Sequence, residues 1–453
     1  MLAALAGAAI AQPAPAAPPD PLAAFDAEMA TVLAQPGGLT AAQAAARAGK
    51  HSPAAARKRA EVEAARATIG QIKIALIPIT KVTASYTRLS DVPALQFGAM
   101  PIQPQLNAIH FGAEVAVPVT DLVMRLPPAK QAALDQVTAT ELGGDAAALD
   151  AGAQAEQLYY EWVRASLATL VAEKQVAQVE ANRAQLAALV EVQRASRADL
   201  LQLEAGKAQA ELAVAQVKQA SQVLADQLRV LMGAGPDETL TIGDDIRVID
   251  ELPALGRDRD LVDAALRRRY EARALDAAVA ALDHHAAETK VQRLPKLNLF
   301  GQVVYDQPNQ RYFLDYDFHA SWAVGVQVTW SPNDFLYTDP NLQSIASQRR
   351  AVAADRAGLA MSIESQIASA RSALAVADAA YQASQRGLAA AAEGYRVRQD
   401  LLANERATAT EVLVAETALT TARLAAINAL IDRHIAWAKL RHAAGLDVPG
   451  AVP

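Results

Sequence analysis

One short stretch occurs twice in this chain, and its repetition constrains the fold more than any other feature. Residues Ala195–Leu201 (ASRADLL) are matched by Ala407–Leu413 (ATATEVL). In each copy a hydroxyl residue stands three positions before an acid: Ser196 before Asp199, and Thr408 before Glu411. That spacing is typical of a capping box, in which hydroxyl and acid each accept from a backbone amide at a helix start. Each copy separates two helical patterns, which predicts the tips of two long helical hairpins.

Other landmarks repeat in the same order. Pro78 and Pro295 each end a helical pattern, and Gly233 and Gly445 follow the last apolar run of each half. A matched order of this kind predicts two tandem repeats. We divide the chain into a signal-peptide remnant (1–11), a Pro/Ala-rich segment and lead-in (12–38), a first repeat (39–233, tip near 193–199), an equatorial connector (234–259), a second repeat (260–445, tip near 405–411) and a tail (446–453).

Directly after each of these prolines the apolar period changes from 3.6 to 2, which predicts strands. The predicted strands cover about 77–90, 110–120, 296–306 and 318–331. Trp322 and Trp330 lie roughly 25 Å apart on the apolar face of the last strand. That matches the lipid-facing band of an outer-membrane barrel between its aromatic girdles, although a water-soluble sandwich strand is the alternative. The girdle candidates are Tyr86, Tyr305, Phe318, Trp322 and Trp330.

The strands and helices together indicate an oligomeric tube. Four strands cannot close a barrel, since about eight are the minimum, so a membrane barrel requires several copies of the chain. A helix from Asn341 to Asn404 spans roughly 95 Å at about 1.5 Å per residue. Leu261–Lys290 and Glu411–Ala444 each cover about half that length and can stack end to end. The helix from Asp199 to Met232 carries two apolar stripes, which predicts two helical neighbours.

Composition supports this interpretation and limits the function. Of the 453 residues, 52% are hydrophobic but only 5% aromatic, which suits Ala-rich helices packed closely side by side. The net charge of −7 gives no basic footprint for nucleic acid. The absence of Cys excludes disulfides and thiolate metal sites. Residues 1–11 read either as the end of a secretory signal or as a disordered Ala/Pro leader.

No catalytic or metal-binding pattern is present in the sequence. The nucleophile-elbow, zinc-protease and phosphate-loop motifs do not occur, so we expect no enzyme and no cofactor. His284 and His285 are adjacent, and on a helix they point about 100° apart, which is poor geometry for one metal ion. No run of about 18 apolar residues occurs, so we expect no transmembrane helix.

The order of these elements resembles the TolC family of outer-membrane efflux proteins. The resemblance covers about Leu39 to Gly445 and rests on the doubled order of helix, proline, strand pair, helix, tip and helix. It implies a membrane α+β protein and a homotrimer, whose twelve strands form an outer-membrane barrel continued by a periplasmic α-helical barrel of coiled-coil hairpins. It further implies a passive export duct of a tripartite efflux or type I secretion system in Gram-negative bacteria.

The resemblance also implies roles for the tips, which meet a periplasmic adaptor (a membrane fusion protein) joined to an inner-membrane pump. The expected contact residues are Gln193, Arg194, Ala195, Ser196, Arg197, Glu405, Arg406, Ala407 and Thr408. Gln193 and Glu405 stand where the family usually has glycine. Glu411 and Asp199 are candidates for the pore constriction, and capping is the alternative role of each. The next acidic position of the family is occupied by Val414.

A second class of function remains open at this point. A soluble periplasmic coiled-coil scaffold or adaptor with a small β-domain has the same pattern of helices and strands. The two differ in solubility, since a duct fractionates with the outer membrane and needs detergent. The cargo, whether drug, metal ion or protein, is not predicted by the sequence.

Overall fold

The computed structural model describes residues 21–74, 77–93, 95–98, 100–102, 105–193, 196–248, 256–312, 315–404 and 406–449. Its helices are α1 (Pro21–Val32), α2 (Ala41–His51), α3 (Pro53–Ile74), α4 (Leu126–Glu191), α5 (Arg197–Met232), α6 (Asp258–Arg268), α7 (Tyr270–Val291), α8 (Asp334–Ala403) and α9 (Ala409–Ala443). Its strands are β1 (Ile79–Arg88), β2 (Leu95–Phe97), β3 (Met100–Ile102), β4 (Asn107–Pro118), β5 (Lys296–Gln307) and β6 (His319–Thr329). The predicted mixture of long helices and a few strands is confirmed.

Four strands, two from each half of the chain, form one sheet. Their order is β1–β4–β5–β6, and every neighbouring pair is antiparallel. The pairing of β4 with β5 joins the two halves, while β1 and β6 form the edges. The loop predicted between the first two strands contains a short hairpin of β2 and β3.

Two helices run the full height of the molecule below the sheet. In α4 the helix continues through Gly143 and Gly144, the weakest point in its sequence, because α2, α3 and α7 pack along it. The other long helix, α8, begins at Asp334, whereas the sequence predicted a start at Asn341. Pro340 is the seventh residue of α8, where it removes one backbone hydrogen bond and its ring crowds the carbonyl of Leu336, but it does not end the helix.

The helix that precedes each strand pair is broken. Ser52 separates α2 from α3 and has φ −56° and ψ 130°. Arg269 separates α6 from α7 with nearly the same angles, φ −61° and ψ 134°. The prediction of one helix over Leu261–Lys290 was therefore wrong. Pro53 marks the first break in the sequence, but the second depends on tertiary contacts of Arg269, which pairs with Glu271 at 2.5 Å and bonds Gln366 at 3.0 Å.

The two repeated glycines end helices α5 and α9 against these breaks. Gly233 and Gly445 have left-handed φ values of 65° and 64°. Each lies in a Schellman motif, closed by the bonds from Ala234 N to Arg229 O and from Leu446 N to Arg441 O, both 2.9 Å. A Cβ on Gly233 would lie 2.9 Å from Cβ of His51, and one on Gly445 would lie 3.0 Å from Cγ of Arg269. In each half, the end of the helix that follows the tip (α5 or α9) therefore meets the break in the helix that precedes the strands.

The lead-in segment contains helix α1, as expected from the helical pattern that begins near residue 22. Phe25, Met29 and Leu33, on α1 and directly after it, are buried in the main core with Tyr159 and Trp162 of α4. The segment between α1 and α2 then pairs with the connector: Leu39 N donates to Thr241 O, and Gly243 N donates to Leu39 O, both at 2.8 Å. Gly38 and Gly243 touch so closely that a Cβ on either would overlap the backbone of the other.

One helix in the described part of the chain, Thr410–Ala443, is long and apolar enough to cross a membrane. It contains no uninterrupted apolar run of about 18 residues, because polar residues are spread along it. Several of its apolar side chains are packed inside the protein: Val412, Leu419, Ile431 and Leu440 are buried. We therefore interpret α9 as a core helix, which passes the same test of length and composition.

Candidate functional site

The sheet has one face on which large apolar side chains point outward, which we call the apolar face. The strand register brings these residues together: Val82, Tyr86, Phe111, Val115, Leu299, Val303, Tyr305, Trp322, Val324 and Val326. They are exposed, with 67% of Trp322 and 73% of Val324 accessible. Leaving such area in water is unfavourable, so an exposed apolar patch of this extent indicates contact with lipid or protein.

The opposite face carries most of the polar side chains of the sheet, together with a few apolar ones such as Phe300, and it is less exposed. His110 Nδ1 lies 2.6 Å from Asp306 Oδ1 on the neighbouring strand, and Thr83 Oγ1 lies 3.4 Å from His110 Nε2. The register places Glu114 opposite Gln302 on the same face. An exposed apolar face opposite a mainly polar face reverses the arrangement of a soluble protein and is typical of a transmembrane barrel strand.

The predicted girdle residues lie at the two ends of the sheet. Tyr305 and Phe318 stack with ring centroids 5.1 Å apart, and Phe318 is half-buried. The hydroxyl of Tyr86 donates to Asn107 Oδ1 at 3.0 Å. Trp330 lies just beyond β6, and its Nε1 donates to the carbonyl of Arg293 at 3.3 Å. Tyr86 and Trp330 thus expose their rings while satisfying their polar atoms, as interfacial aromatic residues do.

The second tip has the complete capping box that its sequence predicts. The amide of Glu411 donates to Thr408 Oγ1 at 3.3 Å, and the amide of Thr408 donates to Glu411 Oε2 at 2.9 Å. The hydrogen bond from the Thr408 amide lowers the pKa of Glu411. Glu411 is also 3.9 Å from the guanidinium of Arg398. Arg406 is exposed, Ala407 is half-buried, and Glu405 lies outside the described residues.

The first tip differs from the prediction. Ser196 caps its helix, but its hydroxyl accepts from the amide of Ala198 at 3.1 Å and not from that of Asp199. Aspartate is one methylene shorter than the Glu or Gln of a full box, so its reach back to the cap is shorter. Gln193 has a left-handed φ of 60°, which glycine adopts without strain. Arg197 is exposed, and Arg194 and Ala195 lie outside the described residues.

The two tips lie side by side. Leu186 and Leu203 of the first hairpin are buried against each other, and Leu200 and Leu413 pack on them. Leu413 follows Glu411 by two residues, and Leu200 directly follows Asp199. The structure therefore brings the helix starts that carry the two candidate constriction acids into one cluster. Their place at a pore remains a prediction.

A buried acid that sequence analysis missed lies between the two hairpins. Glu416 of α9 is 1% exposed, and its Oε2 accepts from Asn182 Nδ2 of α4 at 3.0 Å. Its Oε1 is buried and has no hydrogen-bond partner within the described part of the chain. Burial raises the pKa of Glu416 to about 7. Its only sequence signal is its place between apolar Val412 and Leu419, which is typical of many solvated helix acids.

Asn182–Glu416 is one of several polar contacts that join α4 to α9 along their length. Others are Arg164–Asp432 at 2.5 Å, Glu156–Arg441 at 2.5 Å and Asp150–His442 at 3.2 Å. These contacts connect the first hairpin to the second. In the described residues no group of three or more His, Asp or Glu side chains is placed to hold a metal ion.

Comparison with known proteins gives a clear result for the fold. No protein-family model matches the chain, and no curated protein matches it in sequence. Among solved structures it is similar to the Campylobacter jejuni CmeC outer-membrane channel, with TM-score 0.72, 14% identity, and 95% of this chain and 89% of that chain covered.

Two further solved structures give similar agreement. The Neisseria gonorrhoeae MtrE outer-membrane channel matches with TM-score 0.70 and 19% identity, covering 89% of this chain and 88% of its own. The Vibrio cholerae outer-membrane protein VceC matches with TM-score 0.69 and 17% identity, covering 93% and 96%. The chain therefore has the fold of the TolC-like outer-membrane channels, as the resemblance in its sequence indicated.

Proposed function

We propose that this protein is an outer-membrane channel that serves as the passive exit duct of an efflux or type I secretion system. The observation that carries this proposal is the apolar face, an exposed hydrophobic surface on a sheet whose other face is polar. Lipid is the partner that such a face requires. A soluble scaffold, the alternative, would leave this surface in water. The proposed location is the Gram-negative outer membrane, with the helices extending into the periplasm.

The shape of one chain supports assembly into a ring. The sheet edges β1 and β6 run in opposite directions, so β6 of one copy can pair antiparallel with β1 of the next. The helices follow the same order, α3–α4–α7–α8 beneath the sheet and α5–α4–α9–α8 toward the tips. One flank thus carries β1, α3 and α5, and the other carries β6 and α8. Head-to-tail contact joins strands to strands and helices to helices.

The open flank of α5 carries the second of its two predicted apolar stripes. Leu203 and Leu228, on the first stripe, are buried against α4. Leu201 and Leu212, on the second, are exposed in the single chain. We infer that a neighbouring copy covers them. Each repeat supplies two strands to the four-stranded sheet. Two repeats per chain and three chains per ring therefore give the twelve strands that the family resemblance implies.

The tips carry the remaining roles of the proposed duct. Glu411, with Asp199 beside it, lines the narrowest part of the pore at the periplasmic end. The exposed polar residues around both tips, Gln193, Ser196, Arg197, Arg406 and Thr408 among them, contact the adaptor that couples the duct to an inner-membrane pump. No cofactor takes part, because a passive duct binds no substrate covalently and performs no reaction.

The test is fractionation followed by reconstitution. We expect the protein in the outer-membrane fraction, and as a trimer of the 47.7 kDa chain in detergent by light scattering. In planar lipid bilayers it should conduct ions. A soluble monomer without conductance would reject the duct and favour the scaffold.

A further inference from the structure

Exposed apolar side chains occur below the sheet at all four junctions between strands and helices. These residues lie outside the strands and are not part of the apolar face: Ile74 and Ile77 before β1, Val123 and Met124 after β4, Leu294 before β5, and Phe335, Leu336 and Tyr337 after β6. The largest exposed group is in the first turn of α8, where 71% of Leu336 and 73% of Tyr337 are accessible.

The orientation of this first turn is fixed by its neighbours. Thr338 is fully buried, and its hydroxyl donates to the carbonyl of Asp334 at 2.6 Å. The guanidinium of Arg293 lies 5.6 Å from the ring centroid of Phe335. The carbonyl of the same Arg293 accepts from Trp330. Thr338 points inward, whereas Leu336 and Tyr337, in the same turn as Phe335, point into solvent.

The composition of this group is that of a membrane–water interface. Aromatic and aliphatic side chains lie beside charged ones, and the charges are paired: Arg293 with Asp339, and Lys296 with Asp334 at 3.8 Å. Tyr and Trp prefer the headgroup level, where one end of the side chain is apolar and the other is wet. The group also continues the apolar face, since Val328 and Trp330 at the end of β6 are exposed.

A neighbouring copy of the chain does not account for the whole set of junction residues. Copies pack at the flanks, so the junction residues beside β1 and those at the start of α8 also border a neighbouring copy. Val123, Met124 and Leu294 adjoin the interior strands β4 and β5, away from both flanks. Apolar exposure across the full width of the sheet fits a continuous surface around the ring. A lipid leaflet is such a surface.

We propose that residues Phe335–Tyr337 are an interfacial anchor, which seats the first turn of α8 at the phospholipid headgroups of the inner leaflet. This inference rests on the proposed function, because it requires the sheet to span the outer membrane. The anchor sets the height at which the long helix leaves the membrane. It makes α8 a membrane-contacting helix at its start and a periplasmic helix over the rest of its length.

The absence of Cys from the chain makes a direct test possible. We would prepare the single variants Leu336→Cys, Val324→Cys and Ala354→Cys, attach a nitroxide label, and reconstitute the trimer in phosphatidylethanolamine–phosphatidylglycerol vesicles. Relaxation of the label by oxygen, which concentrates in lipid, is compared with relaxation by a water-soluble nickel chelate. Ala354 is exposed on the same face of α8 as Leu336 but roughly 27 Å farther along the helix.

We expect the ratio of oxygen to nickel accessibility at position 336 to lie between the high value at 324 and the low value at 354. A ratio at 336 equal to that at 354 would show a water-exposed turn and overturn the anchor. Low accessibility to both reagents at 336 would show burial by protein and also overturn it. If position 324 itself is in water, the proposed membrane channel fails and the anchor fails with it.

Discussion

The buried carboxyl group of Glu416 gives a quantitative prediction for the link between the hairpins. The folded protein holds its pKa at about 7, against 4.5 for an unburied glutamate. A difference of about 2.5 pH units, at about 1.36 kcal/mol per unit, corresponds to roughly 3 kcal/mol. Because the folded state binds the proton more tightly, this stability is complete below pH 4.5 and is lost as the pH rises to about 7.

The groups around Glu416 explain why burial dominates. Asn182 of α4 donates one hydrogen bond to it, and Arg423 on α9 lowers its pKa through its charge. Arg423 is itself half-buried, with its guanidinium 5.0 Å from the ring centroid of Phe25 of α1. Burial and the charge of Glu416 raise the pKa of Tyr395 on α8 to about 12. One neutral amide, one phenol and one shielded cation do not replace the water that an ionised carboxylate loses.

The perturbation is Glu416→Gln, which keeps the shape and the bond to Asn182 but cannot ionise. Unfolding entropy for 453 residues is on the order of 1 kcal/mol per kelvin, so 3 kcal/mol corresponds to about 3 °C in the melting temperature. Between pH 5 and 8 we expect the wild-type melting temperature, followed by circular dichroism, to fall by about 3 °C relative to the variant. An infrared band of a protonated carboxyl group, absent from the variant, should titrate near pH 7.

The matched control is Glu411→Gln on the same helix. The pKa of Glu411 is lowered, so its contribution is lost as the pH falls and its removal should leave the slope above pH 5 unchanged. If the melting curves of wild type and Glu416→Gln run parallel between pH 5 and 8, then Glu416 ionises freely. In that case the reasoning from burial is wrong.

Three further predictions follow from other parts of the chain. Val324→Arg on the apolar face should cost about 2–4 kcal/mol in the membrane, whereas Gln327→Arg on the polar face should be tolerated; equal losses in folded trimer on detergent gels would contradict the assignment of faces. Glu411→Gln should reduce cation selectivity in planar bilayers at low salt, while Thr408→Ala should keep the selectivity and cost roughly 1 kcal/mol of helix stability; unchanged reversal potentials for Glu411→Gln would leave that residue with a capping role alone. Gly445→Ala should lower thermal stability by about 1 kcal/mol or more, because its φ is 64° and its Cβ would meet Arg269, whereas Gly358→Ala, in open space on α8, should raise it by about 0.5–1 kcal/mol; the same sign at both positions would contradict the geometry.

The sequence was most informative where a local rule decides the structure. The Thr408 box forms because Glu411 has the length to reach its own cap, and the strands form because their apolar residues alternate. Pro53 signals the break at Ser52, because a proline disfavours helical geometry in the residue before it. These features depend on neighbours within a few positions, so they can be derived from a single sequence.

Features that depend on distant contacts were missed. Arg269 interrupts its helix because it pairs with Glu271 and donates to Gln366 of α8. No proline or glycine next to it in the sequence predicts the break. Glu416 has the sequence pattern of a surface acid, and only the packing of α4 and α8 against α9 buries it. The predicted capping box at the first tip does not form for a smaller reason, because aspartate is one methylene shorter than glutamate. For the candidate site, the alternation of the strands predicted the apolar face, but not the exposed turn of Phe335–Tyr337 below it.

The opposed edges of the sheet have a consequence for genetics. A head-to-tail ring uses two different surfaces of each copy, so a chain with a damaged β1 edge still offers an intact β6 edge to its neighbour. Such a chain enters an assembly and then prevents its closure. In the proposed trimer, a cell that makes equal amounts of both chains retains only about one ring in eight free of the defective copy. Edge mutations of this protein are therefore expected to be dominant, whereas mutations that unfold the whole chain are recessive.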